Sequence, residues 1–209
     1  MKKMFPVFIA ALLLLPVSCK SKEDPNKSVD EGKIVKNYYT SEEIGWKIEI
    51  PNGWEIMSRD QIQSEQTRGE EALEETVGQE IDFSQLKSLI HFQKNPFNSL
   101  ESSSEPFELE YEGEYRDNCG QVKDLIYQTF VNQGIASDST AIGVETINGL
   151  DFFTFDFTIY DKKGNVIMYS RSYNRLINGY DFCVSVYYNN DKDKAELMRV
   201  WKQSVFQRK

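Results

Sequence analysis

The chain has 209 residues, 33 acidic against 24 basic, a formal net charge of −9 and one histidine. Fourteen acids fall in 60–114 against three bases, Arg68, Lys87 and Lys94, so there is no basic stripe and nucleic acid is excluded as a partner by charge repulsion. A lone imidazole excludes a histidine-cluster zinc site, and no Gly-rich phosphate loop, nucleophile elbow or metal-ligand spacing marks a cofactor, a metal or a catalytic residue.

The amino end is Met1-Lys2-Lys3, an apolar run over 4–17, then Ser18-Cys19. A basic start, a short apolar segment and a small residue make a secretory signal over 1–18, too short to remain as a membrane-crossing helix. Leu15-Pro16-Val17-Ser18-Cys19 resembles a bacterial lipobox, with Pro16 where such boxes usually carry leucine. The resemblance implies cleavage before Cys19 and lipidation of its thiol with diacylglycerol and a further acyl chain such as palmitate. The mature chain is then anchored to the outer membrane without spanning it. An ordinary signal peptide with an incidental cysteine is the competing reading. Lys22-Glu23-Asp24 resembles the export tag of surface lipoproteins of the Bacteroidota, and both the periplasmic side and the cell surface stay open as addresses.

Residues 19–36 are polar, with Pro25 and Gly32, and read as a flexible tether with a mean span of roughly 20–25 Å. The remainder, 37–209, is the size of one domain with a core of its own. Trp46, Ile48 and Ile50 alternate with Lys47 and Glu49 in a half-buried strand that Pro51 stops, and Asn52-Gly53 turns the chain toward Trp54 and Ile56. Gly45-Trp46, the alternating strand, Ile50-Pro51 and Gly53-Trp54 resemble the opening of PsbP-like domains. That resemblance implies an α+β fold, an antiparallel β-sheet flanked by helices (an α/β/α sandwich), in the order hairpin, helix, strands, helix, long meander and final helix. It also implies a non-enzymatic accessory role, stabilising or assembling a larger complex through a protein partner.

Ser58 followed by Gln61 forms a capping-box pattern that opens a helix to about Val77, with Ile62, Ala72, Leu73 and Val77 as its buried side. It is weakly apolar and reads either as a loosely docked surface helix or as a lid. Residues 86–93 read as a strand carrying His91, a strand position before a catalyst. From 106 to 115, Phe107, Leu109, Tyr111 and Tyr115 alternate with Glu108, Glu110, Glu112 and Glu114. Successive same-face carboxylates nearly 7 Å apart do not hold calcium without loop oxygens, and a charged edge strand is the simpler account.

Asp117-Asn118 is expected to cap a helix to about Asn132, with Val122, Leu125, Ile126, Thr129 and Phe130 along its stripe and Gly134 ending it. An antiparallel meander of four strands follows over 141–147, 150–160, 166–175 and 180–188, cut by Asn148-Gly149, by Lys162 to Asn165 and by Asn178-Gly179. Its second strand places Phe153, Phe155, Phe157 and Ile159 on one face, with Phe152, Thr154, Asp156, Thr158 and Tyr160 on the other. Tyr169, Tyr173, Tyr187 and Tyr188 are candidate interface anchors or core. The last helix starts after Asn190-Asp191 and points Leu197, Val200, Trp201 and Val205 inward, with Lys202, Arg208 and Lys209 toward its carboxyl end. The calcium-loop spacing of Asn189, Asp191 and Asp193 fails at Lys194 and Val200.

With Cys19 carrying lipid, Cys119 and Cys183 form a disulfide in an oxidising compartment or remain buried free thiols, and both readings fit. Functionally, a membrane-anchored accessory module with a protein partner leads. A glycan or small-ligand binder is the alternative, and a hydrolase using two carboxylates stands behind both.

Overall fold

The computed structural model describes residues 24–207. The signal segment, Cys19, Arg208 and Lys209 lie outside the described residues. A 3-10 turn, Pro25–Ser28, leads into β1 (Lys33–Val35), β2 (Tyr38–Thr40), β3 (Trp46–Glu49) and β4 (Glu55–Ile56). Helix α1 (Arg59–Val77) precedes the hairpin of β5 (Lys87–Asn95) and β6 (Asn98–Pro106), and α2 (Glu114–Asn132) follows it. The meander comprises β7 (Ser137–Ser139), β8 (Gly143–Ile147), β9 (Leu150–Tyr160), β10 (Val166–Ile177) and β11 (Tyr180–Tyr188). The chain closes with α3 (Asp191–Lys202) and β12 (Val205–Phe206).

The large antiparallel sheet runs β4-β5-β6-β11-β10-β9, with β8 along the first part of β9 and β7 along its last. A small sheet runs β1-β2-β3-β12. This is the expected α+β sandwich, and the meander lies where the alternation and the Asn-Gly turns place it. Asn148 and Asn178 take the left-handed conformation, φ 50° and 52°, that such a turn demands and asparagine tolerates.

The two faces of the large sheet differ in chemistry. One face carries Phe92, Leu100, Phe152, Tyr173, Phe182 and Val184 and is sealed by α3 and the small sheet. Trp201 of α3 sits at the centre, with ring centroids 5.2 Å from Tyr173, 5.3 Å from Phe152 and 6.0 Å from Trp46. Asn190 caps α3 through the Asp193 amide, and Leu197, Val200 and Trp201 are fully buried. Val205, expected inward, lies in β12 and is 47 % exposed, because the helix ends at Lys202 and the strand that follows turns Phe206 to the core instead. The opposite face is covered by α1 and α2. There α2 packs Phe130 on Phe157 at 5.3 Å, over the row of Phe155, Phe157 and Ile159 expected from period two.

Three further expectations are corrected. Residues 24–36 are folded against the domain and do not act as a tether. Asn26 bonds both the amide (2.7 Å) and the carbonyl (3.2 Å) of Ile34, and Asp30 accepts from the Ser88 amide at 2.7 Å. Glu31 accepts from Ser41 Oγ (2.6 Å) and from the Glu42 and Glu43 amides. Polar composition suggested a leash, but here carboxylates and an amide satisfy backbone groups that would otherwise be orphaned. The alternating row at 106–115 is not an edge strand. The strand before it, β6, ends at Pro106 in the interior of the sheet, 107–113 is a loop, and Glu114 already belongs to α2. Accordingly α2 starts at Gly113, φ 93°, with no side-chain cap, and not at Asp117-Asn118, while Val122 lies 40 % exposed.

Candidate functional site

A cleft of about 270 Å³ opens between α1 and the large sheet. Its floor is the second face of β5, β6 and β11, where register places Ser88 opposite Ser103, His91 opposite Glu101, and Cys183 opposite Ser103. These positions are polar although a helix roofs them, which is the reverse of the sealed face. The roof is the first half of α1, held at its start by the capping box of Ser58 and Gln61 and by the Arg59–Asp30 ion pair at 2.5 Å. Ile62 is its only fully buried side chain, while Glu65 and Gln66 reach over the floor. Of the expected apolar side, Ala72 and Leu73 are half-buried and Val77 is 40 % exposed.

His91 is the central group. It is 7 % exposed, and its Nδ1 stands 3.8 Å from Glu65 and 3.9 Å from Glu101. Both separations exceed a hydrogen bond. Glu101 is fixed from its other oxygen, which accepts from Tyr187 Oη at 2.5 Å. Burial, then the Glu101 charge, holds the Tyr187 phenol far above its ordinary range, so it is a permanent donor here.

Beside the cleft lies a buried cluster around Asp181. Tyr115 of α2 donates to Asp181 Oδ1 at 2.6 Å. Burial raises the Asp181 carboxyl above its ordinary value, opposed by the Tyr115 bond. Glu105, its cross-strand partner, is raised by burial and then by the Asp181 charge. Cys119 and Cys183 border this cluster as free thiols. Burial followed by Asp181 pushes Cys119 up to about 12 and Cys183 higher still, so neither is a thiolate nucleophile at neutral pH.

The remaining candidates lie apart. Asp193 pairs with Lys94 at 2.6 Å and caps α3 with Asn190. Glu108, Glu110 and Glu112 occupy the exposed loop before α2. Tyr173 is core and Tyr187 stands behind the cleft wall, where it holds Glu101, whereas Tyr169, 38 % exposed, stacks on Tyr188 at 5.3 Å. Among the described residues, no group of three or more His, Cys, Asp or Glu is arranged to hold a metal, and no helix is long and apolar enough to cross a membrane. Glu65 and Glu101 were not singled out in the sequence, because nothing marks two acids 36 positions apart as neighbours until strand register is known.

No family model matches the sequence, and no curated protein sequence does. Structure comparison does find a match. The solution structure of cyanobacterial PsbP (CyanoP) from Synechocystis sp. superposes with a TM-score of 0.54 at 10% identity, covering 81% of this chain and 91% of that one. The fold is PsbP-like. At that identity the likeness concerns architecture, and it agrees with the element order expected from Gly45-Trp46, Ile50-Pro51 and Gly53-Trp54. In the PsbP-like frame, Trp46 and Trp54 are structural. Trp46 meets Trp201 in the sealed core, and Trp54 donates from Nε1 to Glu196 at 2.9 Å, tying α3 to the sheet.

Proposed function

We propose that this PsbP-like chain is an accessory binding module, anchored to a membrane by lipid on Cys19 and engaging a protein partner without catalysing a reaction. The observation that carries the reading is an apolar strip on β10, where Val166 and Ile167 are exposed beside the Tyr169–Tyr188 stack. Exposed aromatic and aliphatic groups grouped on a charged chain are the composition of an interface core. The PsbP-like fold supports the same reading through the accessory role that the sequence resemblance implies. The folded segment 24–36 adds a geometric consequence. Five residue steps separate Cys19 from Asp24, a reach of at most about 17 Å, so a lipid-anchored domain sits close to the bilayer with its amino-terminal edge inward.

The test is chemical crosslinking and capture with the anchor intact. The reading predicts incorporation of a labelled fatty acid that Cys19→Ser abolishes, and one stoichiometric protein partner that the double variant Val166→Ser, Tyr169→Ser loses while remaining folded. Capture unchanged in that double variant contradicts the strip as the interface, and a Cys19→Ser chain that still takes up label contradicts the anchor. A glycan array run on the same protein addresses the sugar-binding alternative. The cleft does not favour that alternative, since its lining residues include no Trp, Tyr or Phe on which a sugar would stack.

A further inference from the structure

We propose that the cleft beneath α1 is a binding site for a small organic cation of the aliphatic amine class. Its two charged carboxylates, Glu65 on the roof and Glu101 on the floor, are accompanied by no Lys or Arg in the lining, so the cleft attracts a cation and repels an anion. His91 between them is more than nine-tenths buried, and its ring nitrogens have no hydrogen-bond partner among the described residues. The two carboxylates meet it only at ion-pair distance, so a hydrogen-bonding ligand or solvent completes its surroundings.

An ammonium group has three donors and no acceptor. Glu65 and Glu101 supply two charge-assisted acceptors, and the Ser103 hydroxyl supplies the third. Tyr187, by donating to the far oxygen of Glu101, keeps the near oxygen aimed at His91. Ile62 and Leu86 give the cleft an apolar wall against which methylene groups pack. A volume of about 270 Å³ is near the lower end of the usual range for ligand pockets and has room for a short diamine. Because Glu65 and Ile62 belong to a helix with little else buried, α1 can lift to admit the ligand and is pinned by it afterwards.

The chain's single histidine makes the experiment direct. The full chain, labelled with nitrogen-15, is titrated with butane-1,4-diamine while the imidazole signals are followed by NMR, with succinate, glucose and potassium chloride of equal ionic strength as controls. The proposal predicts a saturable shift with the diamine alone, and an affinity reduced about tenfold or more in Glu101→Gln and in Glu65→Gln. Glu65 lies on a half-exposed helix face, so that variant decides the matter even if Glu101→Gln fails to fold. No saturable shift at about 10 mM diamine, ten times a millimolar dissociation constant, would overturn the site. An equal response to succinate, or wild-type affinity in a folded Glu65→Gln, would overturn it as well.

Discussion

Asp181 and Glu105 face each other across β11 and β6 beneath the Tyr115 hydroxyl, and both carboxyls are raised in the folded protein. A raised carboxyl holds its proton more tightly folded than unfolded, so its ionisation works against the fold. That penalty is absent below the ordinary carboxylate range and complete once pH passes the raised folded value. Asp181→Asn keeps an oxygen for the Tyr115 bond and removes the charge. It is therefore expected to melt higher than wild type at pH 7, with the gain vanishing toward pH 4. A lower melting temperature at pH 7 contradicts the assignment. On the sealed face the expectation reverses. Trp201 touches Trp46, Phe152 and Tyr173, and Trp201→Ala should cost about 3–5 kcal/mol in denaturant melts. Val205→Ala, at a half-exposed position, should stay within about 0.5 kcal/mol.

Among the elements, the amino-terminal segment gives the clearest contrast between readings. Gly32 has φ 78°, and a methyl group there would press directly against the Thr40 carbonyl oxygen, with Tyr39 Oη only 2.9 Å away. Left-handed strain and overpacking together put Gly32→Ala at about 2–4 kcal/mol. It would be read as a lower urea midpoint at unchanged slope. A loose tether would show no change.

The same segment shows what patterning can and cannot reveal. The meander was legible because apolar side chains alternate and Asn-Gly turns bound each run. The order Ser58 to Gln61 revealed the start of α1, since a cap is a local contact. Residues 24–36 were not legible, because Asn26, Asp30 and Glu31 act on backbone groups of distant segments and leave no periodicity. In β6, Leu100 is the only large apolar side chain before Pro106, as the strand meets a polar floor on one side and lays Ser102 and Ser104 on the other. The alternating glutamates just beyond it imitate the pattern that β6 lacks. The cleft was invisible for a related reason: Glu65, His91, Glu101 and Cys183 come from four elements, and only antiparallel register brings them together.

At the scale of the whole molecule, one sheet has a face closed by aromatic packing and an opposite face divided between an apolar row under α2 and a floor of hydroxyls, carboxylates and one imidazole under the lightly held α1. That asymmetry is the basis for a rigid PsbP-like body whose α1 can open. The most direct test is native-state hydrogen exchange resolved by element. Three buried apolar side chains hold α3, against one for α1. Each buried aliphatic or aromatic group contributes about 1.5–3 kcal/mol. Amides of α1 should therefore exchange through openings about 3 kcal/mol or more below those of α3, β10 and β11. Protection of α1 equal to that of α3 and β11 would contradict a movable roof.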